Sequence, residues 1–325
     1  MTTIDATLRH ALEVSGHDLI LTLDPALQGL PETAHGGSVL AVFDASADAP
    51  APREVSGIYR RRVPLGTPLT LLRSRADSAE IFVLSDPAGN ALVDGRVAPL
   101  AADANDAAPS RAGGDGAAPR GPVLSGLIGR DAAAPAGWEV AGVVPAGPPR
   151  PHPPDEDDAA RPYLLPISRA CFACGTDNEL GLRVQLEFDA KVVRGTWQPR
   201  TSFRRADGSL APAALTTLLD EAAFWLGALA TGESGMTTEL RVSLHRPAPF
   251  GARVTVTGAR AAVRPRGDDP RYRETDVVAH ADGAVVATAR ITFVVVRGAA
   301  RRLVAGMLAM NDPACVRRVF PAYAR

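Results

Sequence analysis

The sequence predicts an α+β protein built from two similar units, in each of which an antiparallel sheet wraps one helix. Three observations lead to this prediction: an internal repeat, one apolar helical stretch in each half, and a proline-rich segment between the halves. The chain has 325 residues, of which 46% are hydrophobic and 22% are charged. This length suits two domains, and this composition can support packed cores.

Each half contains one apolar stretch with helical spacing. The first begins at His35 and reads HGGSVLAVFDAS, and the second begins at Ala211 and reads APAALTTLLDEAAFWLGALA. Apolar side chains recur along one helix face of the second stretch, at Leu215, Leu218, Leu219, Ala222, Ala223 and Leu226. We therefore predict that each stretch is the core helix of its half.

Strand-rich sequence follows each predicted helix. A proline-rich turn precedes a strand at residues 63–66 and again at 248–251, and a hairpin signal follows at 86–90 and at 281–283. This shared order indicates two copies of one unit, with a strand, a helix and then three or four antiparallel strands. Because an unpaired sheet edge is costly, we expect the two sheets to join edge to edge.

The segment between the halves has a different composition. Alanine, proline, glycine and acidic residues dominate it, and such a segment cannot bury enough apolar surface to offset the entropy lost on ordering. The predicted organisation is an N-terminal domain over residues 1–100, a flexible linker over 101–161, a C-terminal domain over 162–300 and a tail of unassigned role over 301–325.

Charge and cysteine content exclude several classes of protein. A net charge of −1 gives no basic surface for nucleic acid or for an anionic membrane. We find no stretch of roughly 18 apolar residues, the length of a membrane span. Three cysteines, and a first segment without a basic start and apolar core, predict reduced thiols and a cytoplasmic location.

The motifs of the first half resemble those of hotdog-fold acyl-CoA thioesterases of the phenylacetic-acid-pathway type. In that family a His-Gly-Gly opens the central helix and an acid follows about two turns later. His35-Gly36-Gly37, with Asp44 nine residues after the histidine, matches this spacing.

The second half carries two further motifs of the same family. Asp220-Glu221 lies in the LLDEA context, and residues 171–182 (CFACGTDNELGL) resemble the CFxCG…N…GL opening. The resemblance covers residues 10–100 and 168–297. It implies a double hotdog, an intrachain pseudo-dimer in which one chain supplies both halves of what is usually a homodimer.

Thioester hydrolysis explains why these residue types would occur together. Glycines at a helix N-terminus let its N–H groups approach the carbonyl oxygen as that oxygen gains charge. A nearby carboxylate can attack the thioester or deprotonate a water. The candidate catalytic residues are therefore His35, Gly36, Gly37, Asp44 and Asp220.

The two halves depart from the family pattern in opposite ways. Nine residues before Asp220 the chain has Ala211-Pro212-Ala213, and Pro212 has no N–H to donate. The first half keeps the glycines, but its helix should be shorter, because 22 residues separate Asp44 from the turn glycine against 31 from Asp220 to its counterpart.

In the resembled family the active sites lie between two protomers. An asymmetric arrangement follows for a chain that contains both halves. We expect one composite site, in which Gly36 and Gly37 of the first half face Asp220 of the second. The reciprocal pairing of Asp44 with the Pro212 region would then lack its donor.

Glu221 and Arg62 are the candidate substrate-binding residues. Glu221 lies about 100° around the helix from Asp220, so a second catalytic acid there is disfavoured. Arg62 belongs to a run of three arginines that could meet a CoA phosphate, although such runs are commonly just solvated. Cys171 and Cys174 have the spacing of half a zinc site, but two more ligands would be needed, so we favour a structural loop and expect no metal.

The resemblance implies hydrolysis of an acyl-CoA or acyl-carrier-protein thioester, without a cofactor and without nucleic-acid or membrane partners. A homodimer of the whole chain is compatible with it. A non-catalytic acyl-thioester binding protein or sensor is the alternative function. A dehydratase of this fold is disfavoured, because such enzymes pair an acid with a histidine and the second helix has no histidine.

Overall fold

The structure is a computed structural model, and it describes residues 3–15, 18–47, 49–100 and 161–323. Nearly all of the predicted linker lies outside the described residues, so its flexibility and the domain boundaries beside it stay predictions. The elements below belong to one compact unit, to which residues 1–100 and 147–325 contribute. Both predicted halves are therefore parts of the same unit.

The first half begins with a short helix and a hairpin, and its core helix is followed by four strands. Its described elements are α1 (Ile4–His10), β1 (Leu12–Ser15), β2 (Asp18–Thr22), α2 (Gly36–Ser46), β3 (Arg53–Tyr59), β4 (Pro68–Ala76), β5 (Ala79–Ser85) and β6 (Ala91–Pro99).

The second half has a similar order of elements around a longer helix. Its described elements are β7 (Tyr163–Leu164), β8 (Glu187–Phe188), β9 (Val192–Trp197), α3 (Pro212–Thr231), β10 (Gly235–Leu244), β11 (Val254–Ala259), β12 (Arg264–Pro265), β13 (Tyr272–Ala281) and β14 (Ala284–Val295), followed by α4 (Ala300–Leu308) and α5 (Pro313–Val319) in the tail. Short 3-10 helices span Pro25–Leu27, Thr201–Phe203 and Arg260–Ala262.

The described strands form one antiparallel sheet. Its order is β1-β2-β4-β5-β6-β3-β10-β14-β13-β11-β9-β8-β7, and β12 pairs with β13. The halves meet where β3 pairs with β10, from Ile58 opposite Glu239 to Arg53 opposite Leu244. The predicted edge-to-edge joining is therefore confirmed, and it satisfies two strand edges that would otherwise be open.

Both predicted hairpins are present, and left-handed backbone conformations explain their sequences. Gly89 has φ +80° in the turn between β5 and β6. Asp282 and Gly283 have φ +46° and +86° between β13 and β14. Glycine and aspartate tolerate this region better than most residues, which is why these turn sequences identify hairpins.

Each half wraps its part of the sheet around one buried helix, as predicted. The first of these, α2, has 11 residues, whereas α3 has 20, in agreement with the shorter first helix expected from the spacing. Pro212 occupies the first turn of α3, where its missing N–H costs nothing, and Gly232 ends the helix with φ +67°. The two helices pack against each other, which brings the two halves of the candidate site together.

Among the described helices, α3 is long and apolar enough to cross a membrane by length and composition. In the structure, 89% of its apolar window is buried inside the protein, as in the core helix of a globular domain. We expected no apolar stretch of this length from the sequence; α3 reaches it, although Asp220 and Glu221 interrupt its apolar run.

The tail, to which the sequence assigned no role, contains the helices α4 and α5. Its apolar face contacts the second half, with Val304, Met307, Val316 and Phe320 buried. The ring of Phe320 lies 6.3 Å from that of Trp225 on α3. The tail is thus part of the core that surrounds the candidate site.

Candidate active site

A pocket lies where the N-terminus of α2 meets the middle of α3. It encloses about 800 Å³, including its open mouth. Its walls come from both halves and from the tail: the start of α2, the end of β3, the loop that carries Cys171 and Cys174, the middle of α3, the start of β10, and α4. A site at this place is necessarily shared between the halves.

Gly36 and Gly37 allow the two helices to approach closely. A Cβ added to Gly36 would lie 2.7 Å from Oδ2 of Asp220, and one added to Gly37 would lie 2.5 Å from the carbonyl oxygen of Thr216. Both distances are far below van der Waals contact. A larger residue at either position would therefore separate the start of α2 from the carboxylate on α3.

Asp220 receives hydrogen bonds from both halves. Its Oδ2 accepts from the Gly37 N–H at 3.0 Å, and its Oδ1 accepts from the Thr237 hydroxyl at 2.8 Å. Burial raises the pKa of Asp220, while the charge of His35 and these two hydrogen bonds act in the opposite direction. As expected, Asp220 lies close to the glycine amides, although Gly37 and Asp220 are 183 residues apart in the sequence.

His35 lies between two carboxylates. Its Nδ1 is 3.2 Å from Oδ2 of Asp220, and its Nε2 is 3.5 Å from Oε2 of Glu221. Burial opposes the charged form of His35, but the hydrogen bond with Glu221 and the charge of Asp220 raise its pKa to about 9. Because a protonated Nδ1 cannot accept the Gly37 N–H, 3.2 Å away, that amide donates to Asp220 at neutral pH.

Two further side chains hold this arrangement in place. The Tyr59 hydroxyl donates to the Gly36 carbonyl at 2.6 Å, which fixes the peptide group whose N–H reaches Asp220. The indole N–H of Trp225 donates to Oε1 of Glu221 at 2.9 Å, which leaves Oε2 on the side of His35. Burial also raises the pKa of Tyr59, so the hydroxyl keeps its proton.

The cysteine loop forms a third wall of the pocket. Cys171 and Cys174 are both buried and line it. The Cys171 sulfur accepts from the Ala173 N–H at 3.3 Å, and a hydrogen bond from the Cys174 thiol lowers the pKa of Cys171. Gly175 permits the turn, since an added Cβ would lie 2.2 Å from the Cys171 carbonyl oxygen.

Asn178 docks this loop onto the first half. Its amide group donates to the Ala26 carbonyl at 2.6 Å, and its side-chain oxygen accepts from the Gly181 N–H at 2.8 Å. The backbone N–H of Phe172 adds a bond of 2.6 Å to the Gln28 carbonyl. The CFACG…N…GL motif is therefore a structural loop, and its docking carries the cysteines to the start of α2.

The structure separates the other predicted site residues. Asp44 forms a two-pronged ion pair with Arg53 of β3, one arm of which is 2.7 Å long, and it does not line the pocket. Arg62 does line the pocket together with Arg61, and both are exposed. Burial and the nearby charge of Arg302 lower the pKa of Arg62, against the charge of Glu32.

Several pocket residues were not predicted from the sequence. Thr237 and Met236 come from the start of β10, Tyr59 from the end of β3, and Leu303 and Met307 from α4. Trp225 of α3 is both buried and hydrogen-bonded to Glu221. The position of β10 directly after the core helix was the one signal that could have indicated Thr237.

Comparisons with known proteins agree with this architecture. A scan against protein-family models and a search of curated protein sequences found no match. A structure from Thermobifida fusca, described as a "putative thioesterase II", is 17% identical and covers 91% of this chain and 100% of its own, with a TM-score of 0.53. A "putative thioesterase" from Novosphingobium aromaticivorans is 16% identical and covers 88% and 98%, with a TM-score of 0.50.

Each of these two matches covers about nine-tenths of this chain. The chain has the hotdog fold. A hotdog-fold protein of unknown function from Alicyclobacillus acidocaldarius is also similar, at 12% identity, over 90% of this chain and 97% of its own, with a TM-score of 0.44. The antiparallel sheet, its core helices and the two similar structures with TM-scores of 0.53 and 0.50 confirm the predicted α+β class and fold.

Chemically, the hotdog pocket combines three features. It has the N-terminus of a core helix, where the Gly36 N–H has no partner within the helix, a buried carboxylate hydrogen-bonded to that helix, and a protonated histidine beside the carboxylate. The first stabilises negative charge, the second can accept a proton, and the third can donate one.

Proposed function

We propose that this chain hydrolyses an acyl thioester in the composite pocket, with CoA or an acyl-carrier protein as the thiol. The contact of Asp220 on α3 with the Gly37 N–H on α2 is the observation that carries the proposal. This contact joins a base on the second half to the glycine N–H groups at the start of the first half's core helix.

In the proposed reaction Asp220 acts as the general base. A buried carboxylate with a raised pKa takes a proton from water more readily than an exposed one. The hydroxide formed attacks the thioester carbonyl, and the proton stays on Asp220 until it passes to the departing thiolate. Thr237 holds the carboxylate in position during this step.

The start of α2 would stabilise the oxyanion. The N–H of Gly36 belongs to the first helical turn, has no partner within the helix, and lies at the pocket wall. At the start of α3 the residue in the position of Gly36 is Pro212, which has no N–H to donate. Asp44 is neutralised by Arg53 on that side. These observations support one working site rather than two.

The lining of the pocket suits the two ends of an acyl thioester. Leu30, Phe224, Met236, Leu303 and Met307 provide an apolar wall for the acyl chain. Arg61 and Arg62 are exposed at the same pocket, where a phosphate of CoA or of a carrier's phosphopantetheine could meet them. The thioesterase descriptions of the two similar structures agree with this class of substrate.

Two other functions have a specific observation in their favour. Both Asp220 oxygens already accept hydrogen bonds, which suits a protein that only binds the thioester. The second helix has no histidine, but His35 of the other half lies beside Asp220, so a dehydratase is not excluded on that ground. Glu221 and Asp220 raise the pKa of His35 to about 9, which favours its protonated form and disfavours it as the base that a dehydratase needs.

The test compares two conservative variants on a panel of acyl-CoA thioesters. Asp220→Asn should lower turnover about 100-fold or more, the usual effect of losing a general base. Asp44→Asn should lower it much less, because Asp44 faces Arg53 and not the pocket. Binding of a non-hydrolysable thioether analogue should persist in both variants.

Equal losses in the two variants would mean two working sites and would refute the asymmetric site. Binding of the analogue without hydrolysis by the unmodified chain would establish the sensor function instead. Hydration of an enoyl thioester, with no thiol released, would identify a hydratase or dehydratase.

A further inference from the structure

We propose that His35, Cys171 and Glu221 bind one zinc-class divalent cation at the wall of this pocket. A ring nitrogen, a sulfur and a carboxylate oxygen of these residues all lie within 4.8 Å of one another. All three residues are buried, and none is more than 6% exposed. Nitrogen, sulfur and oxygen donors in this combination are those that Zn²⁺ prefers.

The distances are close to those of a tetrahedral site. With bonds of about 2.0–2.1 Å to nitrogen and oxygen and about 2.3 Å to sulfur, ligand atoms around zinc lie about 3.3–3.6 Å apart. The 3.5 Å between Nε2 of His35 and Oε2 of Glu221 is already in this range. Closing the site on the sulfur requires the ligand atoms to approach by about 1.5 Å at most.

Cys171 is prepared for metal binding by its own loop. The thiolate is the form that binds metal. The Ala173 N–H donates a hydrogen bond to the Cys171 sulfur at 3.3 Å, so the loop holds this sulfur at the pocket wall. Cys174 is not among the residues whose donor atoms meet within 4.8 Å.

The other two ligands are each oriented by a hydrogen-bond partner. Asp220 lies 3.2 Å from Nδ1 of His35, which leaves Nε2 directed at the site, as in the carboxylate–histidine–metal arrangement of zinc proteins. Trp225 holds one oxygen of Glu221 and leaves the other beside His35. Metal binding would release one proton each from Cys171 and His35.

Three protein ligands leave one coordination position open. All three residues line the pocket, so this position would face the space that the substrate is proposed to enter. A site of this kind resembles catalytic zinc sites more than structural ones, which have four protein ligands. The CxxC motif thus supplies one ligand, while the first half of the chain and α3 supply the others.

Cobalt titration of the full chain tests the site without reference to hydrolysis. Purified protein is stripped with a chelator and then titrated with Co²⁺. We expect about one Co²⁺ per chain, with a thiolate-to-cobalt charge-transfer band in the near ultraviolet that Zn²⁺ abolishes. Cys171→Ser should remove the band, and Glu221→Gln should weaken binding about 10-fold or more.

Two cysteine variants serve as matched controls. Cys315 lies in α5, half-exposed and away from the pocket lining, so Cys315→Ser should bind Co²⁺ with the same band. Cys174→Ser should still bind one equivalent of Co²⁺ and show the charge-transfer band, because only the Cys171 thiolate coordinates the metal. Circular dichroism establishes that each variant is folded, and the near-isosteric Glu221→Gln remains decisive if Cys171→Ser does not fold.

The proposal is overturned if the stripped chain takes up no stoichiometric Co²⁺ or Zn²⁺. It is also overturned if the band persists in Cys171→Ser or disappears in Cys174→Ser. None of these results depends on turnover, so a failure of the metal site and a failure of the proposed hydrolysis are distinguishable.

Discussion

Replacing Gly37 by alanine should be far more damaging than replacing its neighbour Gly36. The new methyl group at position 37 would lie 2.5–2.6 Å from the Thr216 carbonyl and the Cα of Thr217. These are backbone atoms of a buried helix and cannot turn away. Since ordinary contact begins at 3.4 Å, α2 and α3 would have to separate by about 1 Å.

The cost of overpacking in Gly37→Ala is partly offset by the higher helix propensity of alanine. Alanine stabilises a helix interior by about 1 kcal/mol relative to glycine. Overpacking of a well-packed core costs about 1–3 kcal/mol and sometimes more. Because the obstacle at Gly37 is backbone, we expect the upper end of this range, with a net loss of about 2 kcal/mol or more for Gly37→Ala.

Gly36→Ala meets a different obstacle. Its methyl group would lie 2.7 Å from the tip of the Asp220 side chain, which can move. We expect the free energy of unfolding to stay within about 1 kcal/mol of the unmodified chain. Thioester hydrolysis should fall at least about 10-fold, because the carboxylate is displaced from its position against α2.

Denaturant unfolding followed by circular dichroism, together with an acyl-CoA hydrolysis assay, measures both quantities. The expected pattern is a low midpoint for Gly37→Ala, and a normal midpoint with low activity for Gly36→Ala. If Gly37→Ala unfolds at the same denaturant concentration as the unmodified chain, the helices are not in contact at this point. If Gly36→Ala is fully active, Asp220 does not act from the position described.

Three further predictions concern single side chains. Asp44→Asn should lower the free energy of unfolding by about 3 kcal/mol, because it leaves Arg53 without its charged partner, and denaturant unfolding measures this. Folding raises the pKa of His35 from 6.5 to about 9, so the metal-free unmodified chain should be more stable than His35→Asn below pH 6.5. This difference in the free energy of unfolding should fall by about 3 kcal/mol as the pH rises through about 9. A difference that is constant from about pH 6 to about pH 10 would contradict this. Met307→Ala should shift preference towards longer acyl chains by about 10-fold in kcat/KM, and an unchanged chain-length profile would place the acyl group elsewhere.

The core helices and hairpins could be predicted because their signals are local. Apolar spacing identifies α2 and α3, and turn residues with positive φ identify the hairpins. In contrast, α1 has only seven residues and is too short to show a clear period. The short β7 and β8, of two residues each, carry no strand pattern at all.

The site could be predicted only as far as the resemblance reached. The resemblance implied Asp220 opposite the glycines, but His35 and Glu221 are 186 residues apart, and one sequence does not show that they meet. Thr237 is one of many threonines on strands, and its hydrogen bond to Asp220 arises from the order of the sheet. Asp44 has the family spacing, yet Arg53 on the next strand determines its surroundings.

The pairing of β3 with β10 has a consequence for how the two halves can change. In a symmetric dimer of identical subunits, every substitution appears at both ends of the shared interface. Here each position occurs once, so the start of α2 can keep glycines while the start of α3 carries proline. One end can specialise while the other loses its chemistry. The partner half also travels with the chain, so dilution cannot separate the two sides of the pocket.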